Sequence, residues 1–503
     1  MLTRVCMAKK KQQGIALLML MIVFVLLASG YYFSTISVAD IKVERSLKTQ
    51  KALKQAKQAL LAYAATYNDI KRRGDFGFLP CPDYNNGLNE GLEDSGNCGS
   101  QSVSKLGYLP WRTLGISPLR DESGSCLMYA VTGEYKNDEA AMSNRAAMLN
   151  EDTYGMFQVV DASAAVIEGA APGDRIVAMV FAPGEVLSYQ SRSFTADSIC
   201  GRDYANYSAY LDTVGSVNNA VLSTTPDSID QFVHMRSGSE DIVNDRFLTI
   251  TREELWRAIM SRKELEASIV TGESMARRVT EALARCMAQY GNDNSNNRLP
   301  WAAPLDLNGG DFREDDSYDD DASPATYFGR YPFVVDDSDA VIPGTIGPDE
   351  LFDKNFVPPP TPIFSCDSLP IAFPAGQDAD LRSAASADRL FWQNRKDQFF
   401  YAVSRAYRPQ TTGMAGAPRC GSCITVGGTK YAAVVIYSGA KLAGQVRDFP
   451  VAATDTVDTK STAGNYIEVA NPAGNGSGDY TPSANDVMFC ITDTFPLDVV
   501  PCP

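Results

Sequence analysis

The chain has 503 residues, too many for one ordinary core, so two or three domains are expected. Its hydrophobic share of 45% is that of a globular protein and excludes a multi-spanning membrane protein. A formal charge of −16 repels phosphate backbones and argues against nucleic acid as a partner. In chain order, the first element is an apolar run. Lys9, Lys10 and Lys11 precede Gly14, and no charged residue stands between Ile15 and Ala39. Ile15–Phe33 is close to the roughly 20 apolar residues that a membrane helix needs. With the lysines on the cytoplasmic side, a single-pass inner-membrane helix with the rest of the chain in the periplasm is predicted.

Three fates of this run compete. Ala28-Ser29-Gly30 offers small residues for a secretory cut, an uncleaved signal anchor would keep everything, and a third pattern keeps the helix but loses the leader. The third is carried by Lys9-Lys10-Lys11-Gln12-Gln13-Gly14 followed by Ile15-Ala16-Leu17-Leu18. This resembles the type IV prepilin signal, a short basic leader ending in Gly that prepilin peptidase removes. The resemblance implies a cut between Gly14 and Ile15, with residues 1–14 as leader and Ile15 as the methylated first residue. It also implies that Ile15, Leu18, Met19, Ile22, Val25 and Leu26 lie in a membrane and filament helix. Val38–Tyr67 holds no Gly or Pro, and Leu53, Ala56, Leu60, Tyr63, Ala64 and Tyr67 recur at helical spacing. One rod over 15–67, about 80 Å long and bent at Gly30, is therefore expected. Pilins usually carry Glu at the fifth mature position, where this chain has Met19. That departure, with the large size, points by resemblance to a minor, tip or initiating subunit.

The remaining chain repeats itself. Ala59–Tyr67 resembles Ala282–Tyr290, Leu79-Pro80 resembles Leu299-Pro300, and Gly107–Trp111 resembles Gly329–Phe333. Tyr129-Ala130-Val131 matches Tyr401-Ala402-Val403, and Gly173–Phe181 matches Gly428–Ile436. Gln190 to Arg192 matches Gln445 to Arg447, and Asn244-Asp245 with Ile250-Thr251 matches Asn485-Asp486 with Ile491-Thr492. Matches in one order suggest duplication. Each copy reads as a helix, an irregular segment, a helix-like Tyr-Ala-Val segment and strands, with Ile176–Phe181 and Tyr431–Tyr437 central. The predicted fold class is α+β: a long N-terminal transmembrane helix with two pilin-like helix-plus-antiparallel-sheet heads, 68–250 and 251–503. Thr251-Arg252-Glu253-Glu254 is a capping box, opening helices over 252–270 and 273–290 divided at Gly272.

Beyond Cys6 the cysteines are Cys81, Cys98, Cys126, Cys200, Cys286, Cys366, Cys420, Cys423, Cys490 and Cys502. An even number in an exported domain predicts disulfides of open connectivity. Cys420-Gly421-Ser422-Cys423 is read as a structural clip, with redox or zinc chemistry as the alternative. Catalytic constellations are thin. Any Ser-His-Asp or Cys-His arrangement must use His234, and no phosphate loop, HExxH or GxSxG occurs. Asp311, Asp315, Asp316, Asp319, Asp320 and Asp321 form an acidic loop that is either solvated and self-repelling or a calcium site; Asp479 with Asn485 and Asp486 is a weaker second candidate. Leu109-Pro110-Trp111 and Tyr331-Pro332-Phe333 are read as packing, not a sugar platform, and Pro358–Pro362 as a stiff extended segment. The expected function is assembly and contact, not turnover. The chain would be a pilin or pseudopilin subunit of a type IV pilus or type II secretion system, with other such subunits and the inner membrane as partners. A signal-anchored periplasmic hydrolase and a pilus-tip adhesin are the alternatives.

Overall fold

The computed structural model describes residues 12–35, 38–71, 74–84, 89–94, 98–137, 148–192, 198–200, 206–234, 242–262, 274–293, 297–320, 326–336, 348–350, 387–409, 418–448, 459–468, 476–483 and 485–503. The basic leader up to Lys11, Asp321, Cys366, Gly272 and Pro358–Pro362 lie outside them.

Helices α1 (Gln12–Thr35) and α2 (Val38–Ile70) come first, and Gly30 lies inside α1. The predicted stripe of α2 is buried from Leu53 to Tyr67, as expected where a 3.6-residue repeat meets a core. Strands β1 (Lys105–Tyr108), β2 (Met128–Val131), β3 (Phe157–Val160), β4 (Val166–Glu168), β5 (Ile176–Ala182), β6 (Thr213–Val214), β7 (Val217–Asn218), β8 (Asp230–Val233) and β9 (Arg246–Thr251) follow. Helix α3 (Arg252–Met260) grows straight out of β9. Its cap is the predicted box, with the Thr251 hydroxyl accepting from the Glu254 amide and the Glu254 carboxylate accepting from the Thr251 amide. Helix α4 (Met275–Asp293) leads to β10 (Phe328–Arg330), β11 (Val334–Asp336) and β12 (Pro348–Glu350). Helix α5 (Ala387–Arg395) is followed by β13 (Phe399–Val403), β14 (Ile424–Val426), β15 (Thr429–Tyr437), β16 (Gly478–Tyr480), β17 (Val487–Thr492) and β18 (Val499–Pro501).

Two seven-stranded sheets result, and they share one plan. In the first, β5 pairs antiparallel with β2 and β9, β1 lies beyond β2, and β3 pairs parallel with β8. In the second, β15 pairs antiparallel with β13 and β17, β10 lies beyond β13, and β14 pairs parallel with β16. Register repeats too. Tyr129 faces Val180 and Tyr401 faces Val435. A bulge falls between Ile176 and Ala178 in one sheet and between Tyr431 and Ala433 in the other.

Three expectations change. Tyr129-Ala130-Val131 and Tyr401-Ala402-Val403 are strand, not helix-like. Both are wholly buried between neighbouring strands, and a short apolar run with both faces covered carries no period to tell strand from helix. The helix expected over 252–270 is described only to Met260, and it packs on α2 and β9, with the first sheet. Finally, the membrane-spanning helix and the single-pass inner-membrane location are corrected, because no helix among the described residues is long and apolar enough to cross a membrane. The exposed apolar side chains described in α1 run from Leu17 to Leu27. The fold is α+β, with helices packed on two mixed sheets.

The two halves share their main core. α2 packs on β5, β9 and α3, while α4 packs on β15, β17, β18 and α5. Leu60, Val180, Trp256, Leu283, Trp392 and Val435 belong to one contiguous apolar cluster. The far face of each sheet has its own smaller cluster.

Disulfides join Cys81 to Cys98, Cys126 to Cys200, Cys420 to Cys423, and Cys490 to Cys502. Cys286 is also disulfide-bonded. The Cys126–Cys200 bridge closes the longest of these loops, spanning 74 residues. Replacing both cysteines by Ala is expected to cost about 4 kcal/mol through the released chain entropy, read as a fall in urea midpoint. Loss of Cys420–Cys423, which closes a loop of three residues, should cost less.

Candidate functional site

The described part of α1 is an apolar surface with nothing on it. Leu18, Met19, Ile22, Val25 and Leu26, the residues assigned to a filament helix by resemblance, are all exposed, from 51 to 64%. Gly14 and Ile15, the pair expected by resemblance to be cut, lie within α1. By contrast, α2 is anchored. Lys57 Nζ pairs with Glu254 at 2.7 Å and donates to the Thr249 carbonyl at 2.7 Å. Tyr67 donates to Asn137 Oδ1 at 2.7 Å, and Arg262 reaches Asp69 at 2.6 Å. An exposed oily helix thus joins a stalk that is docked on the first sheet.

The acidic loop turns inward. Asp311 takes the Arg313 guanidinium at 2.8 Å, and Arg313 also meets Glu134 at 3.0 Å. Asp315 is buried between Arg389, at 2.9 Å, and Lys396. Asp320 is buried and accepts from the Trp301 amide at 3.2 Å, while Asp319 bridges to Val334 and Asp316 stays exposed. Five of the six carboxyls proposed as calcium ligands are described; three have guanidinium, ammonium or amide partners and point to different ones. No group of three His, Cys, Asp or Glu that could hold a metal occurs among the described residues. Asp479 accepts from the Thr425 hydroxyl, while Asp486 sits with Glu468.

Where the halves meet, polar groups are buried. Asn394 Nδ2 donates to Asp75 at 2.7 Å, and Asn150 Nδ2 donates to Asp397 at 3.0 Å. Lys460 pairs with Asp397, both fully buried. Burial alone would lower the Lys460 pKa, but Asp397 outweighs it and holds it above the usual range. Asp152 has no exposure, and neither carboxyl oxygen has a hydrogen-bond partner. Burial, then Glu151 beside it, pushes its pKa up to about 7. In front of this junction opens a cleft of about 890 Å³, formed by the β4–β5 segment, α3 and residues 441–445. Trp256, Met260, Glu151, Glu168, Arg257 and Lys441 are among its walls.

Nothing in the cleft assembles a nucleophile with a base. His234 is outside it, exposed, with its ring against Phe247 at 5.0 Å. Every cysteine among the described residues is in a disulfide.

Sequence reasoning noted Gln-x-Arg in both copies but not what it does. Arg192 donates to the Ala209 and Gly184 carbonyls at 2.9 Å and lies over the Tyr210 ring. Arg447 donates to the Asn465 carbonyl at 2.7 Å and the Gly439 carbonyl at 2.9 Å, over Tyr466. Beside each clasp sits a carboxyl pair, Asp212 with Asp245 and Glu468 with Asp486. Burial and then the second acid raise Asp245 well above its ordinary value and Asp486 to about 7. The missed signal was one more match in the repeat, Tyr210-Leu211-Asp212 against Tyr466-Ile467-Glu468.

Comparison with known proteins finds no matching family model, no matching curated protein and no matching solved structure.

Proposed function

We propose that the chain is a non-enzymatic assembly subunit of the pilin and pseudopilin kind, in a type IV pilus or type II secretion system, at the tip or initiating position. The observation that carries this reading is α1. Its side chains from Leu17 to Leu27 are all more than half exposed, and a contiguous apolar surface of that kind marks a contact site. In this reading, helices of other subunits cover α1 while α2 fixes it to the heads. Met19 leaves the position without a carboxylate, so this subunit has no Glu to offer a neighbour's amine. Prepilin peptidase is the processing partner, cutting between Gly14 and Ile15.

Two variants test it. Ile22→Glu puts a charge in the middle of the apolar surface and is expected to abolish co-sedimentation with partner subunits while leaving urea unfolding of the heads unchanged. Gly14→Leu is expected to remove the size shift produced by the peptidase. Normal assembly of Ile22→Glu would overturn the reading, and an unchanged shift in Gly14→Leu would overturn the processing step.

A further inference from the structure

The exposed side of α2 carries a row of lysines. Lys48, Lys51 and Lys54 follow one another at three-residue steps, all exposed and none in an ion pair. Three other cations on or beside this helix are paired: Arg45 with Glu185 at 3.2 Å, Lys57 with Glu254 at 2.7 Å, and Lys71 with Glu93 at 2.9 Å. Like charges one turn apart repel and weaken a helix, so this row carries a small cost that no ion pair among the described residues offsets. Along the same side runs a groove of about 570 Å³, lined by Leu47, Gln50, Lys51, Lys54, Gln55 and Gln58. Its glutamines and lysines suit a polar, anionic protein surface.

The chain carries such a surface elsewhere. From Asp306 to Asp320 seven carboxyls stand against one cation, Arg313. The inner acids are spent on holding the loop, Asp311 on Arg313 and Asp315 on Arg389 and Lys396. That leaves Asp306, Glu314 and Asp316 exposed on a segment already fixed in shape, so little ordering entropy is lost on contact.

We propose that the Lys48–Lys54 row of one copy docks the Asp306–Glu314 acidic loop of a second copy. The two patches are different surfaces of the same chain, so the contact is heterologous. It therefore joins two copies head to tail, not across a two-fold axis. This rests on the assembly reading above and deepens it: α1 supplies the apolar grip, and the charged contact fixes the stagger between neighbours. Complementary charge steers and registers an interface more than it tightens it, so the contact weakens with salt.

The test uses the full chain. A mixture of nitrogen-15 and ordinary protein is cross-linked with a zero-length carbodiimide, and self-association is followed by sedimentation at 50 and 500 mM NaCl. Mixed-isotope cross-links between Lys48, Lys51 or Lys54 and Asp306 or Glu314 are expected, with association weakening at least tenfold at the higher salt. K48E/K51E/K54E alone and D306K/E314K alone should each lose association at least tenfold, and the combined variant should regain most of it. Self-association of K48E/K51E/K54E at the wild-type level, or failure of the combined variant to recover, would overturn the docking. Ile22→Glu separates the two ideas. If that variant fails to assemble while K48E/K51E/K54E assembles normally, the docking is wrong and the assembly reading stands. If Ile22→Glu assembles normally, the assembly reading itself has failed.

Discussion

Replacing Lys460 by Met is expected to lower stability by about 3–5 kcal/mol, the usual cost of leaving a buried charge alone. Lys460 Nζ pairs with Asp397, and neither side chain has any exposure. Without the ammonium, the Asp397 side chain keeps the Asn150 amide at 3.0 Å. The Tyr466 hydroxyl loses a 3.0 Å donor at the same time. The backbone here is committed as well, since Arg330 donates to the carbonyls of both Asp397 and Lys460, so the site cannot open to let water in cheaply. The double variant Lys460→Met, Asp397→Leu should recover at least half of the loss, because it removes both charges instead of orphaning one. Urea unfolding of the wild type, the single and the double variant measures this. A single variant within 1 kcal/mol of wild type would show that the pair is solvated.

Parts of this structure that depend on local repetition could be read in the sequence, while parts that depend on distant partners could not. The α2 stripe follows from spacing alone, and the Thr251–Glu254 cap from a four-residue pattern, because both are closed within one or two turns. The matching strands at Ile176–Phe181 and Tyr431–Tyr437 were visible because the chain states them twice. Tyr129–Val131 was misread because a strand covered on both faces has the composition of a buried helix. The acidic loop was misread for another reason. Whether Asp315 faces solvent or a salt bridge depends on Arg389 and Lys396, more than 70 residues away, and no window on the sequence contains both. The Arg192 and Arg447 clasps show the same limit. Their partners are backbone carbonyls, which every residue has, so only the fold says which ones are used.

The halves are therefore less independent than two heads on a stalk would suggest. Residues 148–152 reach into the second half, where Leu149 and Asn150 bond to Asn394, and Asn394 in turn holds Asp75. A main apolar cluster shared across both sheets ties the two halves into one packed core.

Asp152→Asn is expected to stabilise the protein at pH 8 and to change little near pH 4. The carboxyl is fully buried with both oxygens unpartnered, and the groups acting on it are Glu151 and Asp397, which disfavour its charge, and Lys460 and Arg447, which favour it. Burial is the largest effect, and it moves the carboxyl from 3.8 in the free side chain to about 7. Between those values the folded chain holds a proton that the unfolded chain has released. Stability therefore falls as pH rises through this window and levels off above about 7. A shift of about three units corresponds to roughly 4 kcal/mol. The neutral amide avoids the whole loss, so the stability gap between Asp152→Asn and wild type should open from near zero at pH 4 to several kcal/mol at pH 8. Glu134, raised by burial to about 7 against the pull of Arg313, keeps its own slope in both proteins and serves as an internal control. Urea unfolding at pH 4, 6 and 8 reads the gap. A variant that is no more stable than wild type at pH 8 would mean that Asp152 finds a cationic or watery partner at the junction.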